Sequence, residues 1–247
     1  MASWRDFLKN QLLKRDIVLS RPPGQFNIGL IKLPAIKRRG LNLSMVVDAG
    51  AADGGFAREI RAIYPDAKVL CIEPRTDAQP KLKQLASELS GITIAQTLVG
   101  DKVGTVDFYE HLDQSSMLED ARGGFGTKVT QPITTIDELI SSLHLPAPDM
   151  LKLDLQGAEL LALRGATEAM KTAQVIQVEA SFMPFYQGQP LFAEVVAFLA
   201  ERKFRLYDVH ALWHRPLDGA LAQGDFLFIR EDHPLVKDAR WDKPANA

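Results

Sequence analysis

The segment Val46-Val-Asp-Ala-Gly50-Ala-Ala-Asp-Gly54-Gly55 constrains this chain more than any other. An apolar run ends at Asp48, a glycine-bearing turn follows, and Phe56-Ala-Arg-Glu-Ile60 with Ile63 opens a helical apolar pattern. This is a strand–turn–helix joint. Glycines there let backbone N–H groups approach a ligand, and the first helical turn offers partial positive charge. Joints of this kind hold nucleotides or nucleoside-bearing cofactors.

Downstream of the joint, strand and helix patterns alternate. Strands are predicted over 45–50, 68–73, 92–99, 150–154 and 174–179, and helices over 55–64, 77–89, 135–143, 159–171 and 190–202. Short strands rich in branched residues suit a parallel sheet covered by helices on both faces. Two more runs, 204–209 and 225–229, are separated by Pro216, Asp218-Gly219 and Gly224 with no helix-length segment between them. They read as an antiparallel hairpin at the far edge of the sheet, bringing it to seven strands. The stretch 100–134 is predicted as a strand over 105–109 followed by a long loop; Ser115-Ser-Met117 and Gly123-Gly-Phe-Gly126 would close over a site. Residues 1–44 form an N-terminal extension, a helix over 4–14 and an irregular connector broken by Ser20-Arg-Pro-Pro-Gly24. Residues 45–231 are the main domain and 232–247 a tail.

Composition narrows the class. A chain of 247 residues, 46% of them hydrophobic, can bury one core. Twenty-nine basic against 31 acidic residues leave a net charge of −2, which argues against a nucleic-acid partner. Lys32 with Lys37-Arg38-Arg39 is the local exception, most simply a solvated connector. The single cysteine, Cys71, lies in an apolar run, so it forms no internal disulfide and fits a reducing compartment. No apolar stretch approaches the ~18–20 residues that cross a bilayer, and the N-terminus lacks a secretory pattern. The expectation is a cytoplasmic protein without stable membrane insertion; a homo-oligomer is compatible with it.

Ligands of an open parallel sheet sit beyond the carboxyl ends of its strands. Asp48, Glu73, Asp101, Asp154, Glu179 and His210 all fall at predicted strand ends. Taken singly, each reads as a solvated group or a helix cap; together on one rim they read as a site. Glu73 could accept both hydrogen bonds of a ribose diol, and Asp101 one from an exocyclic amine. A dinucleotide turn needs Gly-x-Gly-x-x-Gly, but Gly50 is followed by Ala51-Ala52-Asp53-Gly54, a bulkier turn with flanking acids that disfavours a pyrophosphate. Flanking acids and helix-end N–H groups suit S-adenosylmethionine better, with its sulfonium, ammonium and single carboxylate.

Val47-Asp-Ala-Gly-Ala-Ala-Asp-Gly54, Cys71-Ile-Glu-Pro74, Leu98-Val-Gly-Asp101 and Leu151-Lys-Leu-Asp-Leu-Gln-Gly-Ala-Glu159 resemble the FkbM-type S-adenosylmethionine-dependent methyltransferases, as do Leu163-Arg-Gly-Ala166 and Gln223-Gly-Asp-Phe-Leu-Phe-Ile-Arg230. The resemblance covers about 45–231. It departs at Gln156, where members commonly carry an acid. It implies a Rossmann-like class I methyltransferase fold (α/β, seven strands, mostly parallel, with a C-terminal hairpin) and O-methylation of a sugar or secondary metabolite. By position it implies Asp48, Gly50, Asp53 and Gly54 around the methionine portion, Glu73 at the ribose and Asp101 near adenine. An acceptor hydroxyl needs a base. Asp154 is the first candidate and His210 the second, while Glu159 reads as stabilising a helix N-terminus. Phe182, Phe185, Tyr186 and Trp213 are either acceptor walls or core plugs. No metal is expected: His210 and His214 straddle a predicted strand end, and nothing has zinc spacing. The competing readings are a nicotinamide-dependent oxidoreductase and a non-catalytic cofactor-binding protein.

Overall fold

Alternation along the central strands decides the layers. In β2 (Met45–Ala49), Val47 and Ala49 enter one apolar cluster while Val46 enters the other. The same split divides Leu70 and Ile72 from Val69 and Cys71 in β3 (Lys68–Ile72), and Leu151 and Leu153 from Met150 in β8 (Met150–Leu153). A sheet that is apolar on both faces must be covered on both. The computed structural model describes residues 26–27, 32–111, 114–123 and 126–237. The helix expected over 4–14 lies outside them.

The other main-sheet strands are β1 (Phe26–Asn27), β4 (Ile92–Ala95), β9 (Val175–Ser181), β10 (Phe204–His214) and β11 (Leu221–Arg230). Their order is β1-β10-β11-β9-β8-β2-β3-β4. The pairs from β9 to β4 are parallel, and β11 is antiparallel to both β9 and β10. All seven expected strands are present, with the closing hairpin, and β1 adds an eighth against β10. One face is covered by α1 (Lys32–Arg38), α2 (Gly55–Ile63), α3 (Gln79–Glu88) and the short α8 (Pro234–Lys237). The other carries α4 (Ile136–Ser142), α5 (Glu159–Arg164), α6 (Thr167–Thr172) and α7 (Phe192–Glu201). Among the described residues no helix is long and apolar enough to cross a membrane.

Four expectations change. The run 92–99 is not one strand: it leaves the main sheet after Ala95, and β5 (Leu98–Val99) joins a second sheet with β6 (Gly104–Glu110) and β7 (Thr127–Thr134), ordered β5-β7-β6. Leu98, Phe108 and Ile133 form its small core. The last eight residues of the segment expected as a long loop, Thr127–Thr134, are strand β7; Pro132 and the polar residues of β7 hid it. The helix expected over 159–171 breaks into α5 and α6. A Cβ at Gly165 would stand 1.9 Å from the Gly100 carbonyl oxygen, so the chain passes the second sheet at backbone contact. The basic cluster is partly structural, since Lys37 donates to the Ile63 carbonyl and Arg39 to the Tyr207 hydroxyl at 2.9 Å, docking α1 on the domain.

Candidate functional site

Chain order carries β2 outward to β3 and β4, then back across to β8 on the other side of β2. Crevices open at such reversals. Here a cavity of about 310 Å³ lies at the carboxyl ends of β2, β3 and β8. Gly50, Ala52, Glu73, Arg75, Asp154 and Gln156 contribute to its wall from the main sheet. Ile72, Pro74, Leu98, Val99, Phe108 and Met117 give it an apolar side, much of it from the second sheet.

The turn after β2 is built by its glycine. Gly50 has φ 78, and a Cβ there would sit 1.9 Å from the Asp154 carbonyl oxygen. Only a residue without a side chain lets β2 and β8 end this close together. Glu73 then fixes the turn, accepting from the Ala52 N–H at 2.8 Å and the Arg75 N–H at 3.0 Å. The Arg75 guanidinium also stands 3.6 Å from Glu73 Oε1, and a carboxylate held this way on a cavity wall can accept from a ligand's donors with its remaining lone pairs.

Beneath the turn lies a buried ionic group. Asp48 is fully buried, and its Oδ1 stands 3.2 Å from Lys152 Nζ. That ammonium donates to the Gly50 carbonyl at 2.7 Å and stands 3.7 Å from Asp154 Oδ2. Burial pushes the Asp48 carboxyl up against the opposing pull of Lys152. For Lys152 burial acts downward, and Asp48 and Asp154 outweigh it, so the ammonium is held above its usual range.

Next along the rim, Asp225 and Glu179 face each other across β11 and β9. Glu179 Oε1 accepts from Gln223 at 2.7 Å and its Oε2 from Gln156 at 3.2 Å. Burial, then the charges of Asp154, Glu159 and Asp225, raise the Glu179 carboxyl well above its usual value. Burial first and Asp154 second push Asp225 up to about 7. Glu159 Oε1 accepts from the Leu155 and Gly157 N–H groups, so it does brace the start of α5; burial raises it to about 7.

Of the sequence-expected residues, the structure brings Gly50, Glu73 and Asp154 to the cavity wall. Asp48 lies below it, paired with Lys152. Asp53 points outward, its side chain 59% exposed and 3.6 Å from Lys81. Gly54 lies against Leu82 and Leu85 rather than on the wall. Asp101 is exposed in the turn from β5 to β6 because the third strand ends four residues earlier than expected, at Ala95. His210 is 3% exposed and lies inside β10 at a register shift between Val209 and Ala211, not at a strand end and not on the wall. The cause is the length of β10, which runs for 11 residues to His214 against the 10 of β11. Among the aromatics, Phe182 packs on Phe192 and Phe226 in the core, whereas the Tyr186 hydroxyl reaches Gln156 Oε1 at 3.1 Å. Lys152 and Asp225 were missed as site residues. Both sit inside strands read only for their apolar neighbours, and pairing register alone brings them to the rim. Among the described residues no group of three or more His, Cys, Asp or Glu could hold a metal ion.

The methyltransferase FkbM domain family matches residues 48–206. Curated relatives include the 2-O-methyltransferase NoeI of Sinorhizobium fredii, 23% identical over 59% of this chain and 66% of that protein. Another is the hexuronic acid methyltransferase AglP of Haloferax volcanii, 28% identical over 46% of this chain and 47% of that one. The chain thus spans from about half to two thirds of the length of these two relatives. A solved FkbM methyltransferase from Methylobacillus flagellatus superposes with a TM-score of 0.51 at 18% identity, covering 74% of this chain and 43% of that one, which establishes a shared fold.

Proposed function

The chain belongs to the FkbM methyltransferase domain family, and on that premise we propose that it moves a methyl group from S-adenosylmethionine to a hydroxyl oxygen of a saccharide or secondary-metabolite acceptor. The observation that carries this reading is the rim cavity, apolar on one side and bearing a backbone-anchored carboxylate, Glu73, on the other. A flat heterocycle joined to a ribose diol needs that combination. The names of two relatives, one an O-methyltransferase and one acting on a hexuronic acid, support an oxygen acceptor on a sugar.

When bound, the sulfonium supplies a methyl group already activated for attack. The work left to the protein is alignment, exclusion of water and removal of one proton. Glu73 would hold the ribose hydroxyls and Gly50 would give the backbone approach beside it. Leu98, Phe108 and Met117 would exclude water. Asp154 is the proposed base: it is on the cavity wall, its side chain is 39% exposed, and Lys152 stands beside it. It would take the acceptor hydroxyl's proton as the oxygen bonds to carbon, and then release it to solvent. Alignment of this kind supplies on the order of 7–11 kcal/mol and a positioned base about 10²–10⁴-fold. A cytoplasmic location belongs to the same proposal and is supported by the buried free thiol of Cys71.

Calorimetric titration with S-adenosylmethionine and S-adenosylhomocysteine tests the reading. Micromolar-range affinity, on the order of −8 kcal/mol, is expected for both. Glu73→Gln should weaken it at least tenfold, because its amide can no longer accept from both N–H groups and the ribose. Failure of the parent protein to bind either compound would overturn the proposal.

A further inference from the structure

Gln156 occupies an improbable place for a glutamine. Its backbone has φ 51, the left-handed region that side chains other than glycine rarely adopt, and it is followed by Gly157 at φ 97. Such a conformation persists only where the surroundings hold it. Here they hold it at three points. The Gln156 carbonyl accepts from Ser116 Oγ at 2.7 Å, its Oε1 stands 3.1 Å from the Tyr186 hydroxyl, whose one hydrogen it shares with the Gln114 carbonyl at 3.2 Å, and its Nε2 is shared between two carboxylates. The shared distances are equal: 3.2 Å to Asp154 Oδ1 and 3.2 Å to Glu179 Oε2. With Tyr186 fixing the amide oxygen, both amide hydrogens are directed at carboxylates.

We infer that Gln156 is a positioning residue, a neutral bridge that holds the Asp154 carboxylate of the cavity wall beside the Glu179 carboxylate behind it. The inference takes its functional sense from the reading of Asp154 as base, but the bridge can be tested without it. Two carboxylates beside each other repel, and Asp225 and Glu159 add to the negative charge around Glu179 while Lys152 opposes it. One amide donating to both offsets that repulsion without adding a charge. The aim of Asp154 then depends on Gln156, and through it on Tyr186 and the segment carrying Ser116.

The test uses the whole protein with side-chain carboxyls labelled with carbon-13, observed by NMR across pH. Parent, Gln156→Met, Gln156→Glu and Tyr186→Phe are compared, with thermal melting to verify folding. Gln156→Met keeps the length but removes the donors; the Glu179 titration midpoint should rise by roughly one pH unit, the share of one charge-assisted hydrogen bond. Gln156→Glu should raise it further, since a third carboxylate replaces the donor. Tyr186→Phe should shift it in the same direction by less, and it stands in if the position 156 variants do not fold. The Asp154 carboxyl resonance at fixed alkaline pH should move in each. A purely structural role would alter melting and leave the Glu179 midpoint in place; that result in the folded variants overturns the inference. S-adenosylhomocysteine binding by the parent protein is measured alongside. If the parent binds none, the proposed function fails while the titrations still decide the bridge.

Discussion

Replacing Lys152 with methionine should be among the most damaging single changes in this protein, and the structure says why. Methionine keeps most of the length and apolar stem but removes the ammonium that donates to the Gly50 carbonyl at 2.7 Å and stands 3.2 Å from Asp48. Asp48 has no accessible surface, and among the described residues neither of its carboxylate oxygens has a hydrogen bond of good geometry. Without Lys152, a carboxylate is left buried and uncompensated. Breaking a buried pair this way costs about 3–5 kcal/mol, a large part of the ~5–15 kcal/mol that holds a typical domain folded. Asp48→Asn combined with Lys152→Met removes both charges, so the double variant should recover at least about 1.5 kcal/mol of the loss. The pH dependence has a fixed sign. Burial holds the Asp48 carboxyl above its unfolded value of 3.8, and losing Lys152 raises it further. A carboxyl that is raised in the folded state costs stability as pH climbs from its unfolded value to its folded one. The defect of Lys152→Met should therefore be smaller near pH 5 than near pH 8. Urea denaturation of parent, single and double variants at both pH values measures this. A loss below about 1 kcal/mol at the higher pH, or a double variant no more stable than Lys152→Met, would refute the argument.

Two further outcomes follow from local geometry. Gly50→Ala forces a side chain into φ 78 and against the Asp154 carbonyl, backbone that cannot rotate away, so about 2–4 kcal/mol of stability should be lost in denaturant titration, together with measurable cofactor affinity. Glu159, raised to about 7 by burial, should weaken the fold as pH rises from about 4.5 to 7; Glu159→Gln keeps an acceptor for both N–H groups and should be more stable than the parent by on the order of 1–3 kcal/mol near pH 8, the difference closing near pH 4.5 in paired melting curves.

Much of this protein is legible in its sequence because the information is local. The turn at Gly50, the strands ending at Ala49, Ile72 and Leu153 and the helices after them follow from periodicity and glycine placement, and Glu73 and Asp154 reach the cavity because strand ends in a parallel sheet share one rim. What tertiary structure alone decided is where the chain departs from that plan. Leu98 and Val99 have the composition to extend the third strand, yet they pair with Ile133 and Thr134 some 35 residues away, a partnership no local window contains, and this removes Asp101 from the rim. His210 and Asp225 exchange significance for the same reason: the length of β10 draws the histidine into a strand, while register sets Asp225 opposite Glu179. Pairing across the chain is a many-residue equilibrium between competing partners, and the spacing of residues along one strand does not carry its outcome.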